Sequence, residues 1–186
     1  MNESPIDQPS AVMAAIRAWA AERRLPYGNL ERWLRFDAAG RAALLDLARE
    51  LKMRTGQMMT VIDLLDEISL RGNIDAASIL AADDVRDALA AGGSAPARAA
   101  RLIRMLRDIR FPRLAQLRED LEAAITALAL PLQVVVRLPA DLASDELVVE
   151  IHARNPAEMA RAATAIAGAQ DGLGRIIGRL GGDDEV

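Results

Sequence analysis

The chain has no cysteine among its 186 residues, a single histidine (His152), and only five aromatic side chains: two tryptophans, two phenylalanines and one tyrosine. Without cysteine there are no disulfides, thiolate metal sites or cysteine nucleophiles, and an intracellular, cytoplasmic setting is expected. With one histidine, a multi-histidine metal site is impossible and a Ser-His-Asp triad has one possible base. Long apolar runs are also missing. The most apolar stretch, 123–132, is about half the roughly 20 residues a bilayer-spanning helix needs, and it contains Pro131. Membrane insertion is therefore not expected. The first ten residues carry Glu3 and Asp7 where a secretory signal requires a basic start and an apolar run, so no signal peptide is read there.

What the chain has is apolar content, 52%, against 27% charged residues, enough buriable surface for a globular core. The net charge of −4 hides a strong segregation. Between Ser94 and Arg118 seven arginines (Arg98, Arg101, Arg104, Arg107, Arg110, Arg113 and Arg118) face one carboxylate, Asp108. Residues 1–93 carry 11 basic and 14 acidic side chains, and residues 119–186 carry 5 and 12. Such an island attracts either phosphate or the acidic parts of its own chain.

Apolar spacing predicts helices through most of the chain. The first starts at Ser10 as N-cap, carries Val12, Ile16 and Trp19, and stops at Pro26; a short second one follows Asn29 with Trp33 and Leu34. Further helices open at Asp37, at Thr55 (stripe Met58, Ile62, Leu65, Ile68), at Asp75 and at Asp83 or Asp84, the last ending at Gly92-Gly93. That glycine pair is the expected internal boundary. Beyond it, Ser94 caps a helix and Pro112 starts another. The period then changes to two in Leu132, Val134, Val136, Leu138 and in Leu147, Val149, Ile151, Ala153, before Asn155-Pro156 opens a last helix. The expected fold is mainly α with a C-terminal α+β portion: a helical bundle followed by helix-helix-strand-strand-helix around a two-stranded antiparallel ribbon. In residue terms this gives a flexible 1–9, a helical domain 10–92, an α+β domain 93–180 and a flexible acidic tail 181–186. Inside the second domain lie helices 94–110, 112–128 and 156–168 and strands 132–138 and 146–153.

No set of nucleophile, base and orienting group emerges, so no catalytic residue, metal site or cofactor is expected and the chain is read as a non-enzyme. His152 falls on the polar side of its strand beside Glu150 and Arg154, the position of an ordinary exposed histidine. Gly172, Gly174 and Gly178 imitate a phosphate loop, but a helix rather than a strand precedes them. Asp63 and Glu67 share a helix face at i,i+4 spacing, suited to a divalent cation or simply to solvent. Met58 and Met59 suit a peptide groove or, more simply, core filling. Arg101, Arg104, Arg107, Arg110 and Arg113 are the candidate nucleic-acid-binding residues. Spaced by three, they wind around their helix by about 60° per step. They offer phosphates a positive stripe, or offer ion pairs to the chain's own carboxylates.

The segment Leu64-Leu65-Asp66-Glu67-Ile68-Ser69-Leu70-Arg71, then Ile79-Leu80, then Arg101 through Leu114, resembles the helical region downstream of the nuclease-like domain in bacterial ParB-like proteins. The similarity continues through the strand pair and covers about residues 30–168. It implies a role in DNA association and chromosome or plasmid partition. The arginine-rich nucleotide motif of that family's N-terminal domain has no counterpart here, so nucleotide hydrolysis does not carry over. The resemblance implies a non-catalytic accessory module contacting DNA phosphates. The alternative is a protein-protein adaptor or dimerisation module that uses the strand ribbon and helical faces without nucleic acid.

Overall fold

The computed structural model describes residues 8–139, 142, 144 and 146–182. Most of the segment 1–9, the tail beyond Gly182 and part of the connection after Pro139, expected as flexible or loop, lie outside the described residues. The described chain runs α1 (Gln8–Arg23), α2 (Tyr27–Arg35), α3 (Ala38–Glu50), α4 (Thr55–Gly72), α5 (Ala76–Ala81), α6 (Asp83–Ala90), α7 (Ala95–Arg110), α8 (Pro112–Ala127), β1 (Val134–Arg137), β2 (Val148–Ile151), α9 (Pro156–Gly168) and α10 (Gln170–Gly181). The fold is mainly α with a C-terminal α+β portion, as the hydrophobic periods predict.

Two compact units divide at Pro112/Arg113 rather than at Gly92-Gly93. The expected boundary fails because α7 buries Ala99, Leu102 and Leu106 in the same core as α1 to α6. Gly93, at φ +124°, turns the chain between α6 and α7 without separating them. The first unit is built around α4, whose Met58, Val61, Ile62 and Leu65 are fully buried. Trp19 and Trp33 meet edge to face with centroids 5.6 Å apart, and the Trp33 indole N–H donates to Arg41 O at 3.4 Å. Asp37 caps α3 by accepting from the Ala39 and Gly40 amides (3.0 and 3.1 Å), and Asp75 caps α5 by accepting from Ser78 N (2.7 Å).

Three expected helix starts move. α1 begins at Gln8, ahead of Ser10, and Thr55 lies inside α4, where its hydroxyl donates to Arg23 O at 2.7 Å. Asn29 is not a cap either. It lies inside α2, only 8% exposed, and its Nδ2 donates to Asp63 Oδ1 at 3.1 Å, so the polar amide ties α2 to α4 from within.

The second unit begins with α8. Its sheet pairs β1 and β2 antiparallel with Val134 opposite Ile151, Val135 opposite Glu150, Val136 opposite Val149 and Arg137 opposite Val148. Both strands are shorter than expected. Leu132 belongs to a turn in which Val134 N donates to Pro131 O (2.8 Å), and it is 98% exposed. Asn155 caps α9 by accepting from Glu158 N at 2.9 Å. The glycine-rich 170–181 stretch is helix α10, burying Gly172, Leu173 and Ile176. The apolar spacing of Leu173, Ile176 and Leu180 carried that signal behind the glycines.

Candidate nucleic-acid interface

The basic island splits into two kinds of arginine. Arg98 and Arg101, six and nine residues past Gly92, reach back from α7 to the carbonyls that end α6. Arg98 Nε donates to Leu89 O (2.9 Å) while its Nη2 meets Glu50 Oε1 at 2.6 Å. Arg101 donates to Ala88 O (2.9 Å), Gly92 O (2.8 Å) and Ala91 O. The last carbonyls of a helix have no intrahelical donor and carry partial negative charge, so a guanidinium is their natural partner. Arg110, with its side chain 26% exposed, pairs with Glu67 at 2.6 Å and stacks over Phe111 at 4.6 Å. Arg101 and Arg110, expected as phosphate contacts, therefore serve to fix α7 against α6 and α4.

Arg104 and Arg107 differ. Both are exposed, three residues apart and therefore about one turn apart on the outward side of α7. Neither makes an ion pair among the described residues, although Asp108 is four residues from Arg104 and adjacent to Arg107. Arg113, on the first turn of α8, is likewise exposed and unpaired among the described residues; it belongs to the second unit. Of the five candidates the structure thus leaves three with open guanidinium groups. The sequence could not separate them, because the partners Glu50, Glu67 and the α6 carbonyls are distant along the chain or belong to the backbone.

The other candidates take structural places. Asp63 pairs with Arg32 and accepts from Asn29, and Asp66 lies 3.6 Å from Arg35 and 3.9 Å from Arg32. Asp63 and Glu67 therefore turn to different basic partners. Among the described residues no three His, Asp or Glu side chains are grouped to hold a metal ion. A cleft of about 460 Å³ in the first unit is lined by Arg35, Asp37, Asp66, Ser69 and Asp75, whose carboxylates are already engaged in caps or ion pairs. His152 Nε2 lies 3.3 Å from Glu150 Oε2, and Arg137 Nε reaches the same oxygen at 3.0 Å. The Arg137 hydrogen bond, followed by that of His152, holds the Glu150 carboxyl below its usual range. The Ser78 backbone and side-chain hydrogen bonds do the same for Asp75. Met58 is core, fully buried. Among the described residues no helix is long and apolar enough to cross a membrane. No known protein family, curated protein or solved structure matches this chain.

Proposed function

We infer that this protein is a non-catalytic, DNA-associated module that contacts backbone phosphates through Arg104 and Arg107 of the first unit; Arg113, in the second unit, is a separate candidate for the same chemistry. The observation that carries this reading is the division of labour on α7. Its inner arginines are paired and hold the helix, while two outer ones are exposed and make no ion pair among the described residues. Guanidinium groups left in that state bind phosphate oxygens in bidentate fashion. A contact of this kind positions the protein without reading sequence. The accessory role in DNA partition is the setting that the ParB-like resemblance implies, and it rests on the residues quoted for that resemblance.

The reading sets a modest salt dependence. Two phosphates neutralised give a log-log slope of about −1.8, or roughly a 12-fold loss of affinity between 50 and 200 mM salt, and a third raises the slope to about −2.7. Fluorescence anisotropy with random duplex DNA measures it. Binding that weakens with this slope and is abolished by Arg104→Glu with Arg107→Glu is the expected result. No binding at the lowest salt, or binding indifferent to that double substitution, overturns it.

A further inference from the structure

The outer edge of β1 carries backbone groups that have no bonding partner among the described residues. His152 N donates to Gln133 O at 2.7 Å, which marks that pair as a hydrogen-bonded one in the antiparallel ladder. Alternation then assigns the β1–β2 bonds to Val135/Glu150 and Arg137/Val148, and turns the N–H and C=O of Val134 and Val136 away from β2. The Val134 N–H is consumed by Pro131 O. The Val136 N–H and C=O, the Val134 C=O and the Leu138 N–H have no partner among the described residues, and the sheet has no further strand there.

An edge of this kind is normally protected by a lysine, a proline or a central charge. β1 has none of these before Arg137; its first three residues are valine. β2 differs, with Glu150 at its middle, ion-paired to Arg137. The second unit also needs cover: a two-stranded ribbon is marginal in water, and only Leu121, Leu142 and Ile176 form its buried apolar cluster among the described residues.

We propose that β1 pairs antiparallel with β1 of a second copy of this chain, about a two-fold axis at Val136, making a four-stranded sheet with β2 at both ends. This register uses each of the free groups. Val136 exchanges two bonds with its own copy, and each Leu138 N–H donates to the other copy's Val134 C=O. An axis at Val135 instead would call on the Val134 N–H, which the turn already holds. On the core-facing side valine meets valine and leucine, and on the other side Arg137 stands opposite Val135, so no like charges are opposed. A further pairing of β2 with its copy about an axis at Glu150 is discouraged, because it would set Glu150 against Glu150. The pairing is independent of phosphate binding.

The test is sedimentation of the full chain over about a hundredfold range of concentration, with backbone hydrogen exchange at both ends of that range. The expected species has twice the 20.0 kDa chain mass, and the Val136 and Leu138 amides become protected as it forms while the Val149 amide does not. Val136→Pro removes an N–H that the β1–β2 ladder does not use and is expected to return the protein to monomer with its helical circular dichroism unchanged. Val149→Pro, the equivalent change on the outer edge of β2, is expected to leave the dimer. A monomer throughout the range overturns the proposal, as does a dimer in which Val149 gains protection and Val136 does not.

Discussion

The two units solve the problem of burial differently. The first joins 24 buried apolar residues, among those described, into one cluster, from Ile16 on α1 to Leu106 on α7, with two tryptophans edge to face at 79° inside it. The second, among its described residues, gathers three, although it contains three helices and a sheet. Its α9 is the clearest case: a single residue, Ala162, is buried, and Met159 is 47% exposed. Hydrophobic stabilisation scales with the apolar area removed from water, so among the described residues the first unit has much the larger source of it. The arginines that hold α7 in place, Arg98, Arg101 and Arg110, find their partners within the first unit.

The comparison breaks most readily with the same substitution in both cores. Leu65→Ala, at a fully buried site enclosed by the α4 packing, is expected to cost about 4 kcal/mol, and Leu121→Ala about 2 kcal/mol, because a thin core collapses into the space more easily. Urea denaturation with separate probes for the two units reads both. Equal losses would mean that the second unit is as tightly packed as the first.

A gain of volume tests the first unit from the other side. A methyl group on Gly40 would lie 2.9 Å from the Ala76 Cβ and 2.6 Å from Asp37 Oδ1, where α3 meets α5. Gly40→Ala is therefore expected to cost about 1–3 kcal/mol, despite the better helix propensity of alanine. Gly56, with no atom within 4 Å of such a methyl, is expected to accept alanine with little change or a small gain. The two melting temperatures, compared with that of the parent, check the pair.

The arginines sharpen the comparison within one helix. Arg101→Gln loses three bonds to the end of α6 and is expected to cost about 1–2 kcal/mol, reduced by the partial exposure of the guanidinium. Arg104→Gln is expected to stay within about 0.5 kcal/mol of the parent while weakening DNA binding. If instead Arg101→Gln leaves stability intact and reduces binding alone, its assignment to the α6 end is wrong.

Much of this architecture is written locally. Ser94 before Pro96, Asp37, Asp75 and Asn155-Pro156 are caps that act within three residues, and all four sit where the sequence places them. Asn29 misled because the same short amide that caps a helix can also bridge two, and its partner Asp63 is 34 residues away. Gly92-Gly93 misled for a related reason. Glycine shows that the backbone can turn but not whether the helices on either side share a core, and Ala99, Leu102 and Leu106 settle that only by where they pack. In the basic island the pattern revealed the charge; the ion pairs that consume part of it join residues 43 and 48 positions apart. The glycines of α10 hid an apolar period that was present all along.

The smallest effect expected is on the sheet of the second unit, where Glu150 accepts from Arg137 on the facing strand and lies against His152. Its carboxyl is held below the ordinary value of about 4.5 in the folded protein, so folding favours the ionised form. A group shifted in that direction contributes its stability above the unfolded value and loses it as pH falls through the folded one. Glu150→Gln should therefore melt slightly below the parent near neutral pH, and the difference should close as the pH is lowered past the ordinary carboxylate range. Both groups are open to water, so the gap is expected to be small and to narrow with salt. A gap that persists in acid would mean that Glu150 acts through packing of its stem rather than through its charge.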